Sequence, residues 1–169
     1  AAGCGQLAFT KMAVPAGALL VSEHKSASDD AAVKTYSNCI QLARLGWCAL
    51  AVGVGQAALD YVIPYVNERS AFGEPISHRQ GVAFSVADMA IELEGMRLLT
   101  RRAASRAEQG LAFSREAALA RKLCADKGMF IGSTAVQMLG GHGFVKEHPV
   151  ERWYRDLRAV ALMEGALLV

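Results

Sequence analysis

Between residues 137 and 165 the chain sets out a run of groups that could do chemistry. Gly140, Gly141 and Gly143 close an apolar, helix-like stretch that includes Gln137. Alternating acids and arginines follow, among them Glu151, Arg155 and Asp156, and then the apolar strip 160–163 leads into Glu164 and Gly165. Glycines after a helix end let backbone N–H groups approach a ligand with no Cβ in the way. A carboxylate set behind apolar residues is where desolvation raises proton affinity toward a general base's working range. An anion-receiving turn and a desolvated base together point to an enzyme site. The residues alone also allow Glu164 to cap a following helix.

Composition supplies a frame for such a site. With 169 residues, the chain is long enough for one proper core, and 53% apolar against 20% charged residues excludes a disordered segment. A net charge of +2 gives no reason to expect nucleic acid or an anionic membrane as partner. Arg97, Arg101, Arg102 and Arg106 are spaced to spread along a helix as a solvated stripe. Cys4, Cys39, Cys48 and Cys124 form no C-x-x-C and sit among apolar residues, which predicts buried, reduced thiols in a cytoplasmic or other reducing compartment. The uncharged run 45–59 falls short of the ~20 residues a membrane span needs, so it reads as a core helix. His78 and His148 lack partners at metal-ligand spacing, and no metal is expected.

The elements that must position these groups are helical. Leu7, Phe9, Met12 and Val14 alternate loosely before Pro15 and Gly17, which predicts a short strand and turn, and residues 26–30 read as a linker. A first long helix is expected over about 31–68, buried on several faces and kinked by Pro64. Within it, Gly53-Val54-Gly55-Gln56-Ala57-Ala58 matches G-x-G-x-x-A only in letters, because no strand precedes it; small residues for close helix packing are the simpler reading. Phe72-Gly73-Glu74-Pro75 is a turn. Further helices are expected over about 77–109, ending at Gly110, and from Ser114 as N-cap to Leu139, ending at Gly140. A shorter one opens at Pro149. Short connections make long neighbours antiparallel, so the fold is an all-α, up-down helical bundle with a short N-terminal β remnant.

In order and spacing, QMLGGHGF, PVERWYRDLR and MEG resemble the C-terminal domain of acyl-CoA dehydrogenases, and ERSAFGEPISHRQ extends the resemblance upstream to nearly the whole chain. The family's Q-x-x-G-G-x-G turn matches Gln137, Gly140, Gly141 and Gly143, its E-x-x-x-R-D segment matches Glu151, Arg155 and Asp156, and its catalytic E-G matches Glu164-Gly165. The resemblance implies that residues 1–30 end a middle β-domain and its linker, that 31–169 form the helical bundle with its last helix incomplete, and that the chain is a fragment. It implies FAD as cofactor and an acyl-CoA thioester as substrate, dehydrogenated at Cα–Cβ. Glu164 becomes the base, and its backbone N–H, with a flavin hydroxyl, holds the thioester carbonyl; Gly165 and Arg44 join the substrate side. Arg69, Ala71 and Phe72 of the R-x-x-F-G turn, Gln80, Gln137, Gly140 and Gly141 become contacts to a neighbouring subunit's FAD, an arginine fork suiting its diphosphate. A homodimer or homotetramer follows, with an electron-transfer flavoprotein or similar acceptor as redox partner.

Several positions depart from the pattern. Ala166 and Leu168 stand where a threonine and a glutamine touch flavin in many members, Gln41 where an acid precedes the arginine matched by Arg44, Met163 in place of an aromatic, and His142 in place of tyrosine. Ala43 removes the family's alternative base position on the first helix. These departures leave two other readings open: a catalytically silent subunit or packing module of a flavoprotein assembly, and an acyl-CoA oxidase. Alone, the fragment is expected to be inactive. Without the family, Arg44 is a helix-flanking charge, Arg69 a surface arginine and Gln137 a helix-end polar residue.

Overall fold

A computed structural model describes residues 6–18 and 29–163. Four helices carry the fold: α1 (Asp29–Glu68), α2 (Gln80–Glu108), α3 (Ser114–Leu139) and α4 (Val150–Val160). Strands β1 (Ser70–Ala71) and β2 (Glu74–Pro75) pair antiparallel between α1 and α2, with Ser70 opposite Pro75. Successive helices reverse direction. Gly55 of α1 faces Leu93 of α2 and Ile131 of α3, and Gly132 of α3 faces Tyr154 and Leu157 of α4. The result is the expected up-down bundle.

Its core is one cluster. Leu45, Cys48, Val52, Leu59, Val62 and Val66 of α1 meet Met89, Leu93 and Met96 of α2, Cys124 and Ile131 of α3, and Val150, Leu157 and Val160 of α4. Glycines set the closest crossings: a Cβ on Gly132 would stand 3.1 Å from the Tyr154 Cα, and one on Gly55 3.0 Å from Leu93 Cδ1. Gly55 thus serves helix packing, as its sequence context predicts, while Gly53 faces open space.

Several expectations need correction. α1 is buried along one stripe only; residues 33–39 are exposed, as are Leu42, Leu50 and Ile63, because its neighbours cover a single side. Among the described residues, that helix alone is long and apolar enough to cross a membrane, yet its stripe lies in the core. Residues 6–15 form no strand, and Leu7 and Phe9 are exposed, since no sheet is there to receive their hydrogen bonds. α2 begins at Gln80 rather than Ser77: a 3-10 turn, Ile76–His78, comes first, and Arg79 adopts an extended backbone that breaks the helix. α3 is capped by the buried Phe113, with Ser114 its first helical residue. Gly110, at φ 69°, ends the α2 segment through bonds from Leu111 N–H to the Arg106 carbonyl and from its own N–H to Ala107, a Schellman stop.

The thiols divide. Cys48 and Cys124 are buried as expected, Cys39 is exposed, and Cys4 lies outside the described residues. The Cys124 Sγ lies 3.8 Å from Thr100 Oγ1 and 4.0 Å from the Cys48 carbonyl. Hydrogen bonding with Cys124, and then burial, push the Cys48 thiol far above its ordinary range. The arginine stripe is only partly solvated. Arg101 and Arg102 are exposed, whereas Arg97 donates to Gln56 and Glu94, and Arg106 donates to the Ala112 carbonyl.

Candidate functional site

Where α1 and α3 end side by side, a groove of about 540 Å³ opens between the β1–β2 hairpin and the glycine turn. Arg69, Ala71, Phe72, Gln137, Gly140 and Gly141 all line it, so six of the seven residues that the sequence assigns to a cofactor come together. Gln80, the seventh, is exposed at the start of α2 and does not line the groove; the preceding Arg79 does. Ile76, Val82, Met138 and Leu139 give the floor an apolar character, with the two guanidinium groups at its rim. Arg79 lies 3.7 Å from Glu74, whereas Arg69 has no ion-pair partner among the described residues. An anion is the natural complement.

The hairpin tip is strained. Phe72 and Gly73 occupy its two loop positions at φ 58° and 88°, the primed-turn geometry that matches the twist of the strands. Glycine adopts it freely, but a phenylalanine there is an outlier. Phe72 is nevertheless 92% exposed, with the Arg79 guanidinium 5.0 Å from its ring centre.

The three turn glycines have separate reasons. Gly140 needs its φ of 57°. A Cβ on Gly143 would collide with the Val136 carbonyl, so that glycine holds the turn against α3. Gly141 has neither constraint: its φ is ordinary, and nothing stands within 4 Å of where a Cβ would be. The fold itself therefore does not require glycine at 141, and the backbone there is open to close approach from the groove side.

Side chains of α1 hold this turn in place. Tyr65 Oη lies 2.9 Å from His142 Nδ1 and donates to the Leu139 carbonyl at 3.4 Å, and Tyr61 Oη lies 2.8 Å from His148 Nδ1. The two imidazoles stack at 5.1 Å, and Tyr61 meets Trp153 edge-on. Sequence reading gave Tyr61 and Tyr65 no role, though their spacing puts both on one helix face. On the other side of Gln137 a second groove, of about 320 Å³, is lined by Gly143, Glu151, Tyr154 and Arg155. Arg155 Nη2 donates to Glu151 at 2.8 Å, an exposed i,i+4 pair, so this part of the E-x-x-x-R-D segment braces α4.

Of the remaining predicted residues, Arg44 belongs to the other end of α1. Arg44 is half-buried on α1, about 30 Å along the helix from Tyr65 at 1.5 Å per residue. Glu164 and Gly165 lie outside the described residues, which end at Met163. Met163 is held: the buried Arg121 of α3 donates from Nη2 to its carbonyl at 2.8 Å. Sequence reading missed Arg121, whose position inside an apolar α3 face was the available signal. Arg121 and Gln137 stand about 24 Å apart along α3.

Comparison with known proteins follows the same outline. The model of the family described as acyl-CoA dehydrogenase, C-terminal domain, matches residues 33–167. The mitochondrial short-chain specific acyl-CoA dehydrogenase of Bos taurus is 45% identical over 122 residues, covering 72% of this chain and 30% of the relative. Acryloyl-CoA reductase (NADH) of Anaerotignum propionicum is 34% identical over 160 residues, covering 95% of this chain and 39% of the relative. Among solved structures, butyryl-CoA dehydrogenase from Megasphaera elsdenii superposes with a TM-score of 0.76 at 34% identity, covering 79% of this chain and 35% of that one. The chain thus spans about a third of the length of these proteins. With its bundle, its glycine turn and the match over 33–167, the chain belongs to the acyl-CoA dehydrogenase family, as that family's C-terminal helical domain.

Proposed function

We propose that this chain is part of an FAD-dependent enzyme that dehydrogenates acyl-CoA thioesters between Cα and Cβ. The observation that carries the reading is the groove: Arg69, Ala71, Phe72, Gln137, Gly140 and Gly141 converge on one apolar floor with two guanidinium groups at its rim. Those residues fit part of a dinucleotide. Arg69 and Arg79 suit the diphosphate, and the open Cβ position of Gly141 leaves room for close backbone approach. FAD, when bound, supplies the acceptor for the hydride leaving Cβ. Glu164 takes the α-proton, its backbone N–H holds the thioester carbonyl, and Arg44 and Gly165 complete the substrate side.

The separation of about 24 Å between Gln137 and Arg121 along α3 favours two different flavins at the two ends. In this reading the groove completes a neighbouring subunit's cofactor, and the assembly is at least a homodimer, with an electron-transferring flavoprotein as acceptor. An exposed stripe on α2, Phe84, Ile91 and Leu98 at seven-residue spacing, supplies apolar surface for association.

The test is Glu164→Gln in the intact flavoprotein, which should retain flavin and lose acyl-CoA-dependent bleaching. Retained turnover would move the base elsewhere. Bleaching in the wild-type homo-oligomer also excludes a silent packing subunit, and comparing oxygen with an artificial acceptor separates oxidase from dehydrogenase. The likeness to acryloyl-CoA reductase (NADH) over 95% of the chain supports a second reading, the reverse direction. The same carboxyl would then deliver the α-proton. NADH-dependent consumption of an α,β-unsaturated acyl-CoA, weighed against oxidation of the saturated thioester, decides between them.

A further inference from the structure

At the corner where α2 hands over to α3, three arginines from the two helices close on the buried Glu116. Arg102 and Arg115 approach the same oxygen, Oε1, at 3.8 and 3.9 Å, and Arg106 approaches Oε2 at 3.5 Å. At these separations the charges are neighbours rather than partners in short hydrogen bonds. Among the described residues, the one hydrogen bond that these three guanidinium groups make runs from Arg106 Nε to the Ala112 carbonyl at 2.8 Å. A guanidinium carries five N–H donors in a flat fork, so most donors at this corner are left to solvent. The side chains of Arg102 and Arg115 are 63% and 77% exposed, and the carboxylate lies beneath them.

Three positive charges against one negative exceed what the fold needs. A single cation is enough to compensate a buried carboxylate. The helix dipole favours Arg106, in the last turn of α2, but Arg115 stands in the first turn of α3, where a cation is disfavoured. Its place there opposes both the dipole and its two neighbours. The corner is also remote from the cofactor groove: Glu116 and Gln137 stand about 32 Å apart along α3.

We propose that Arg102, Arg106 and Arg115 form a binding site for a phosphate group, with Glu116 as the buried brace that gathers them. A phosphate brings nearly two negative charges and several acceptor oxygens, which matches the surplus of charge and the forks converging from two helices. The inference stands apart from the function proposed above. Free phosphate and the phosphates of coenzyme A present the same chemistry to these arginines.

Calorimetric titration of the intact, flavin-loaded protein with inorganic phosphate, at an ionic strength held with chloride, tests the site while flavin fills the distant groove. One saturable site with a Kd of a millimolar or less is expected. Arg102→Gln/Arg115→Gln should weaken it about tenfold or more, from the loss of charged hydrogen bonds. Arg69→Gln, at the groove, should leave it unchanged. Both substituted arginines are exposed, so the variant should fold; if it does not, Arg115→Gln alone decides by the same criterion. Coenzyme A, titrated in parallel, identifies the source. Competition with phosphate, and weaker binding to the double variant, assigns the site to the coenzyme; binding indifferent to the variant assigns it to the free anion. Phosphate and coenzyme A both binding the double variant as they bind wild type overturns the proposal. So does a failure of phosphate to bind wild type, beside coenzyme A binding that the variant leaves unchanged.

Discussion

The Tyr65 hydroxyl meets His142 Nδ1 at 2.9 Å, tying the last turns of α1 to the centre of the glycine turn. The bond joins residues 77 positions apart and lies on the groove wall, which both side chains line. Tyr65→Phe removes this bond and the weaker one to the Leu139 carbonyl while keeping the ring. The expected loss is about 1–2 kcal/mol of stability, from two modest hydrogen bonds, with a rise in the Kd for FAD. Thermal unfolding and flavin titration measure both.

The glycines of the turn should separate by variant. Gly143→Ala forces a methyl against the Val136 carbonyl and should destabilise most, lowering the yield of folded protein. Gly140→Ala should cost about 1–3 kcal/mol for a strained φ. Gly141→Ala should leave the unfolding midpoint of the flavin-free protein unchanged and weaken FAD retention. A Gly141→Ala protein that binds FAD like wild type would take the ligand away from this face of the turn.

Phe72→Asn offers the opposite trade. Asparagine tolerates positive φ, so the apo-protein should gain up to about 1 kcal/mol. Losing the ring above Arg79 should raise the Kd for FAD several-fold. Paired denaturation and binding curves would show stability and affinity moving in opposite directions.

Arg69→Gln should weaken FAD binding about tenfold or more, flatten its salt dependence and leave folding within about 0.5 kcal/mol of wild type, as for an exposed side chain. Equilibrium dialysis at two ionic strengths tests this.

Thiol mapping checks the core. Under native conditions a maleimide should modify Cys39 and spare Cys48 and Cys124, which become reactive only on unfolding. Peptide-resolved mass spectrometry reads each site. Early modification of Cys124 would contradict the close α1–α3 packing.

Much of this was legible beforehand because it depends on local pattern. Apolar periodicity and the stops at Gly110 and Gly140 give the helices, and the spacing of Arg69, Phe72, Gln137 and Gly141 gives most of the groove. Contacts that depend on how helices rotate against each other were not legible. Tyr61 and Tyr65 carry no distinguishing signal in the sequence, and gain their role when α1 turns them toward His148 and His142. Arg121 reads as one cation in A-R-K-L until α4 brings the Met163 carbonyl over it. Gln80 stands at the start of α2 as its match predicts, but the extended Arg79 before it is the residue that lines the groove.

α3 behaves as a gauge bar with a fitting at each end, Arg121 toward one and Gln137 toward the other. Along a helix each residue adds 1.5 Å and about 100° of rotation. A single residue inserted between those two positions would barely lengthen the bar, but it would swing one fitting about a quarter-turn relative to the other. Substitutions on its exposed face leave that phase untouched. Its length in residues, more than the identity of most of them, is therefore what evolution or an engineer is least free to change.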